Sequence, residues 1–265
     1  MGKLDGKFIR GAVGDITFKK VGKKQYVQKK SKMTVKDQTE ATKKSAQVFG
    51  QASSLASSIR VSLDSIIGFY DTFMVSRFTG DTGYVLNTAL VAETQKFVFN
   101  PNSFNRFNGF EFNLNSPVKN YLFAQPEVTT SGNTLELTLP EMNIPQDLRF
   151  PQPGRNCIIA LQIAQFDLKH GYHMESNIQS AEINYAYKPA IIPASKFTFE
   201  IAPGCLCIIG IALKYYEKTF AGNDTVNNKI FNPSAILKAF MTEGEPNMEI
   251  TGAWLEMDFK NQPNP

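Results

Sequence analysis

The chain has 265 residues, of which 42% are hydrophobic and 20% charged, and its 28 Lys and Arg against 24 Asp and Glu leave a formal charge of +4. A chain of this length can bury a substantial core. Its 21 Phe and 9 Tyr exclude wholesale disorder, and no run approaches the ~20 apolar residues needed to span a bilayer. The charge is unevenly placed: residues 1–44 hold thirteen basic and four acidic residues (net +9), and residues 45–265 hold fifteen and twenty (net −5). A basic arm is joined to a mildly acidic body.

The opening stretch, residues 1–15, lacks the apolar core of a secretory signal, and Gly6 stands where a myristoylation motif needs Ser or Thr. A cytoplasmic or virion protein with no membrane partner is therefore expected. Residues 7–32 read as extended. Ile16–Lys20 and Gln25–Lys29 are β-rich runs around a turn at Val21-Gly22-Lys23-Lys24, a hairpin that needs outside support because two strands alone are marginal in water. The arm is assigned to residues 1–36. Simple strand alternation sets Lys20, Lys24 and Lys30 on the side opposite Lys19, Lys23 and Lys29, so both faces carry charge.

A helical segment is expected over residues 37–80. The spacing of Ala46, Phe49, Ala52, Leu55, Ala56 and Ile59 predicts a helix over 39–59, whose packing side chains would be Phe49, Leu55 and Ile59. A second helix is expected over 61–77, weakened by Gly68. From residue 81 the chain turns β-rich, with candidate strands at Lys96–Asn100, Gly109–Leu114, Thr134–Leu139, Cys157–Asp167, Ala181–Tyr187, Lys196–Ile201, Leu206–Tyr216 and Ala253–Lys260. Cys207–Leu213 is an unbroken apolar run, as in a central strand covered on both faces. Ser234–Met241 reads as a short helix within a connection. Together these features give a mainly β protein: a β-sandwich or jelly-roll-like body with an N-terminal β-hairpin arm and one or two helices.

Chemistry-bearing patterns are sparse. His170 and His173 are the only histidines, and with Asp167 and Glu175 they are the weak candidates for a metal site or an acid–base pair. A polar turn between strands, supported by Gly171 between the histidines, is the favoured reading, and there is no Gly-x-Ser-x-Gly elbow for a hydrolase. Gly11-Ala-Val-Gly14 lacks the third glycine of a dinucleotide loop, and no phosphate loop is present. Asn223-Asp224-Thr225 matches a glycosylation acceptor but reads as a polar loop, too poor in carboxylates for calcium. Cys157, Cys205 and Cys207 are odd in number and read as buried thiols in a reducing compartment. The Phe-Asn segment Phe97–Asn113 either fills a core or stacks on a ligand. A carbohydrate-binding reading would use Phe104, Phe107, Tyr121 or Trp254.

Gly11-Ala-Val-Gly14, Lys20-Val-Gly-Lys-Lys-Gln-Tyr-Val27 and Thr39-Glu-Ala-Thr-Lys-Lys-Ser-Ala-Gln-Val-Phe49 give the chain a family likeness. Over about its first sixty residues it resembles an uncharacterised family of Bacteroidota-type bacteria. Its members share a Gly-x-x-Gly element, a Lys-Gly-Lys hairpin, a Thr/Gln-led helix and an all-β C-terminal part. The resemblance implies no enzyme activity, cofactor or site residue.

The resulting expectation is a non-enzymatic structural protein that self-assembles, without cofactor. Its basic arm (Arg10, Lys19, Lys20, Lys23, Lys24, Tyr26, Lys29 and Lys30) would dock on a neighbouring subunit of a filament, tube or virion. Nucleic-acid binding through the same lysines is the first alternative, and the carbohydrate-binding sandwich the second.

Overall fold

A computed structural model describes residues 2–30, 39–246 and 254–261. Residues 1 and 31–36 of the expected arm, 37 and 38 of the expected helical segment, and Ala253 of the last expected strand lie outside the described residues. Contacts divide the chain between Gln47 and Val48 into two units.

In the first unit, β1 (Lys3–Asp5), β2 (Phe8–Val13), β3 (Ile16–Val21) and β4 (Lys24–Lys29) form an antiparallel meander in chain order. All three connections are two residues long, closing on Asp5↔Phe8, Val13↔Ile16 and Val21↔Lys24. Each opens on a glycine, Gly6, Gly14 or Gly22, with φ of 60°, 58° and 59°. Loops of this length need left-handed backbone there to match strand twist, and glycine adopts it without steric cost. Helix α1 (Glu40–Ser62) begins in this unit, where the Thr39 hydroxyl accepts the Thr42 N–H at 3.2 Å.

The second unit carries the rest of α1, then α2 (Asp64–Ile67) and α3 (Met74–Ala89). The single second helix expected over 61–77 is thus two pieces: Gly68, at φ 63°, stops α2, and α3 runs on past residue 80 to Ala89. The strands that follow are β5 (Leu90–Val91), β6 (Lys96–Phe97), β7 (Glu127–Ser131), β8 (Thr134–Leu139), β9 (Met142–Ile144), β10 (Asn156–Asp167), β11 (Tyr172–Glu175), β12 (Gln179–Asn184), β13 (Ala190–Ile192), β14 (Ser195–Glu200), β15 (Leu206–Thr219), β16 (Gly222–Thr225), β17 (Ser234–Met241) and β18 (Leu255–Glu256).

Strands β10 and β15 pair from Asn156↔Tyr216 to Phe166↔Leu206 and form the spine of the large sheet. Strands β11 and β12 flank β10, β16 and β17 flank β15, and β18 extends β11. Alternation sends the two faces into two cores. Cys157, Ile159, Leu161, Cys207, Ile209, Ile211 and Tyr215 pack against Leu135, Leu137, Phe197 and Phe199 of the small sheet β14-β8-β7. Ala160, Ala164, Phe166, Leu206, Ile208 and Ala212 pack under the helices and the Phe-rich segment. The body is mainly β and sandwich-like, with helices over the outer face of its larger sheet. The apolar run Cys207–Leu213 is buried throughout, as a strand covered on both faces requires.

Residues Ser234–Met241 are strand β17, not the expected helix: they pair with β15 from Leu206↔Met241 to Ala212↔Ser234. Ala, Leu, Lys and Met favour helix locally, but a sheet edge with apolar surface on both sides overrides that preference. The expected strand Gly109–Leu114 is instead an irregular segment with one isolated bridge, Glu111↔Ala235, held along β17 by Gly109 N–H to Ile236 O (2.8 Å), Ile236 N–H to Phe110 O (2.9 Å) and Phe112 N–H to Ser234 O (2.9 Å).

Candidate assembly interface

The meander of the first unit holds every arm residue singled out from the sequence. Residues 2–30 carry nine basic and two acidic side chains, net +7. Asp5 gathers two of the cations, Arg10 Nη1 and Lys20 Nζ, each at 3.4 Å, and Lys20 also lies 4.9 Å over the Phe8 ring. Lys3, Lys7, Lys19, Lys23, Lys24, Lys29 and Lys30 meet no carboxylate among the described residues. Beyond Gly11 the ladder between β2 and β3 opens, and the Gln25 carboxamide of β4 spans the gap. Its Oε1 accepts the Ile9 N–H at 3.2 Å and its Nε2 donates to Ile9 O at 2.9 Å. Lys30 donates its backbone N–H to Asp15 O at 2.6 Å, closing the sheet just past β4.

The two-residue turn changes which lysines share a face. Lys19 stands opposite Tyr26 and Val21 opposite Lys24, so Lys19, Lys24 and Tyr26 occupy one face. Lys20 stands opposite Gln25 and Ile16 opposite Lys29, which puts Lys20 and Lys29 on the other. Counting alternation straight through the turn had grouped Lys20 with Lys24 and Lys19 with Lys29. Both faces are charged in either arrangement.

No side chain from Gly2 to Lys30 is buried. Leu4 is 82% exposed, and Val13, Val21, Tyr26 and Val27 are exposed by more than half. These apolar positions were not singled out in the sequence, where the lysines dominate. The signal that identifies the whole sheet is the recurrence of glycine every eight residues, at 6, 14 and 22.

In helix α1 the buried stripe is Val48, Ala52, Leu55, Ala56 and Ile59, so Leu55 and Ile59 pack as expected. Phe49 does not. It falls one position off the stripe and is 64% exposed.

The histidines serve separate local contacts. His170 Nδ1 lies 2.7 Å from Asp167 Oδ2, while Asp167 Oδ1 accepts the N–H groups of Lys169 and His170 at 3.0 Å, so the carboxylate clamps the β10–β11 turn. His173 stacks on Phe166 with ring centroids 6.1 Å apart, and its Nδ1 lies 2.8 Å from Ser62 Oγ and 4.0 Å from Glu175. Both contacts of His173 fall on one ring nitrogen and Ser62 is fully buried, so this Ser–His–Glu grouping cannot relay a proton as a triad does. Burial holds the His173 imidazole below its ordinary value and pushes the Glu175 carboxyl up, against a hydrogen bond from Ser62. Among the described residues no three His, Cys, Asp or Glu side chains are grouped as metal ligands.

Phe104 and Phe107 are fully buried. They belong to an aromatic cluster in which Phe78 lies 5.0 Å from Phe107 and 4.8 Å from Phe110, and neither can stack on a sugar. Tyr121 packs against Phe231 at 5.2 Å, and Trp254 is half-buried. The three cysteines are free and buried. Burial pushes the Cys205 thiol up to about 12, and raises those of Cys157 and Cys207 further.

No family model, curated protein or solved structure matches the chain. No helix among the described residues is long and apolar enough to cross a membrane.

Proposed function

We propose that this protein is a structural subunit that assembles with further copies of itself, its basic four-stranded sheet docking on a neighbouring copy to build a filament, a tube or a virion component. The observation that carries this reading is that the sheet spans residues 3–29 without burying one side chain. A sheet normally needs a covered apolar face for independent stability, and each buried aliphatic side chain contributes about 1.5–3 kcal/mol. Leu4, Val13, Val21 and Val27 supply apolar surface for a second molecule to cover. The charge of the arm, opposite in sign to that of residues 45–265, favours another copy as that molecule. A head-to-tail contact of this kind closes into rings or continues as an open polymer. Deleting residues 2–36 is expected to leave a folded body that no longer assembles, as read by light scattering and circular dichroism. Unchanged oligomers after the deletion would refute the proposal.

A second reading rests on the seven lysines that meet no carboxylate among the described residues, which suit a phosphate backbone. It predicts binding of single- or double-stranded nucleic acid that weakens steeply with salt. A gel-shift assay at low salt with no retarded band eliminates it.

A further inference from the structure

We infer that β7 of one copy accepts β4 of the next, so that the small sheet β14-β8-β7 continues across the interface into the basic meander. This inference rests on the assembly reading above and names the surface that receives the arm. Two free edges of similar length carry it. Strand β7 has five residues and pairs with β8 alone among the described residues, and β4 has six and pairs with β3 alone. The two-residue loop between Ser131 and Thr134 makes those residues the closing hydrogen-bonded pair, so Val128 and Thr130 turn their N–H and C=O groups outward. By the same parity Val21 and Lys24 close the β3–β4 loop, and Gln25, Val27 and Lys29 face outward.

Among the described residues, most other edges of the second unit are occupied or short, β12 being the exception. Backbone groups of residues 109–112 cover β17, and β18 and β16 have two and four residues. Edge β14 is partly capped by side chains, Gln179 Nε2 donating to Thr198 O at 2.7 Å and Gln165 Nε2 to Glu200 O at 3.0 Å. Natural sheets blunt an open edge with lysine, proline or a bulge. Glu127-Val-Thr-Thr-Ser131 has none of them, and apart from half-buried Val128 all of its residues are exposed.

Charge selects the partner. The solvent face of the small sheet carries Glu127, Glu136 and Glu200 against Lys196, whose Nζ is spent on Glu136 at 2.8 Å. Strand β4 begins and ends on Lys24 and Lys29. Both faces of the meander carry lysine, so β4 on β7 brings either Lys24 with Lys19 or Lys29 with Lys20 to the face with a surplus of carboxylates, whereas two basic meanders joined edge to edge would set like charges side by side.

The test uses the full chain with proline at one outward-facing position of either edge, where the inner ladder keeps its hydrogen bonds. Val27→Pro and Thr130→Pro are each expected to be monomeric by light scattering, with circular dichroism like that of the parent. An equimolar mixture is expected to form dimers and nothing larger, because only the intact β4 of one variant can meet the intact β7 of the other. Glu127→Lys, a change on the exposed face, is expected to raise the concentration needed for assembly about tenfold at low salt. If Thr130→Pro and Glu127→Lys assemble like the parent while Val27→Pro does not, the acceptor lies elsewhere and the inference fails, although the assembly reading stands. A mixture that stays monomeric also overturns it. If Val27→Pro and the 2–36 deletion both assemble normally, the assembly reading itself fails.

Discussion

Gly210 of β15 lies directly beneath Ile66 of α2: a Cβ at position 210 would overlap the Ile66 Cδ1 methyl and stand 3.1 Å from Leu63 Cδ2. The short helix is fixed at the same place by Ser65, which donates to Gln162 Oε1 at 2.8 Å on the strand paired with Gly210. A glycine within a strand is ordinarily a weak point that alanine improves. Here Gly210→Ala is expected to destabilise the body by about 1–3 kcal/mol, because the buried Ile66 and Leu63 side chains must repack around the added methyl. Urea unfolding with an unchanged midpoint would contradict the close packing.

Asn232 ties the link between α2 and α3 to the large sheet. Its Nδ2 donates to the carbonyls of Ile67 and Phe69, the latter at 2.7 Å, and its Oδ1 accepts from Asn227 Nδ2 at 2.9 Å. Asn227 in turn accepts the Tyr215 N–H at 2.7 Å and donates to Leu213 O at 2.9 Å. Replacing Asn232 by Ala leaves the buried Ile67 carbonyl and the buried Asn227 amide without this partner and is expected to cost about 2–4 kcal/mol in thermal or chemical unfolding. Replacement of Asn228, whose side chain is exposed, is the control expected to cost far less.

Acid stability follows from Asp71. Burial pushes its carboxyl up, but the N–H groups of Leu114 (3.1 Å) and Phe73 (2.8 Å) and the Arg77 guanidinium at 2.6 Å outweigh it, so the carboxyl sits below its ordinary range. Between the lowered folded value and the unfolded one near 3.9, the unfolded chain holds a proton that the folded chain does not. Stability from Asp71 is therefore complete above about pH 4 and is lost as pH falls through the folded value. Unfolding midpoints measured from pH 5 down to pH 2 are expected to fall less steeply in Asp71→Asn than in the parent.

The cysteines give a direct test of the core. With Cys157, Cys205 and Cys207 buried and their thiols raised by burial, none is expected to react with iodoacetamide in the folded protein at pH 8. All three are expected to react in denaturant. Alkylation read by intact mass at intervals distinguishes global unfolding from local opening, and rapid native labelling of Cys205 alone would show that the start of β15 opens independently.

The sequence displays the parts of this fold whose signals are local. The alternation of Leu135, Leu137 and Leu139, the apolar run of β15 and the Gly22 turn could all be read directly, because strand period and turn chemistry lie within a few residues. Strand β17 was illegible because its partner is some thirty residues away, and nothing within Ser234–Met241 specifies a sheet edge. Phe49 misled because an apolar residue one step from the true stripe satisfies a loose helical period. At the candidate interface the lysines were plain. The bare apolar positions beside them, and the acidic edge at β7, required the strand register.

The loops at Gly6, Gly14 and Gly22 also bear on when each part forms. Every pairing in the meander joins neighbours in the chain, whereas Asn156 must find Tyr216 across sixty positions to complete the spine of the body. Local pairings close quickly and distant ones slowly. During synthesis residues 3–29 also emerge before β7 exists. A newly made chain would thus expose the open edge of β4 before the body has folded. On the proposed assembly, such chains crowded on one messenger would be prone to edge-to-edge aggregation, which the lysines at the ends of β4 would oppose by mutual repulsion until a finished body offered its carboxylates.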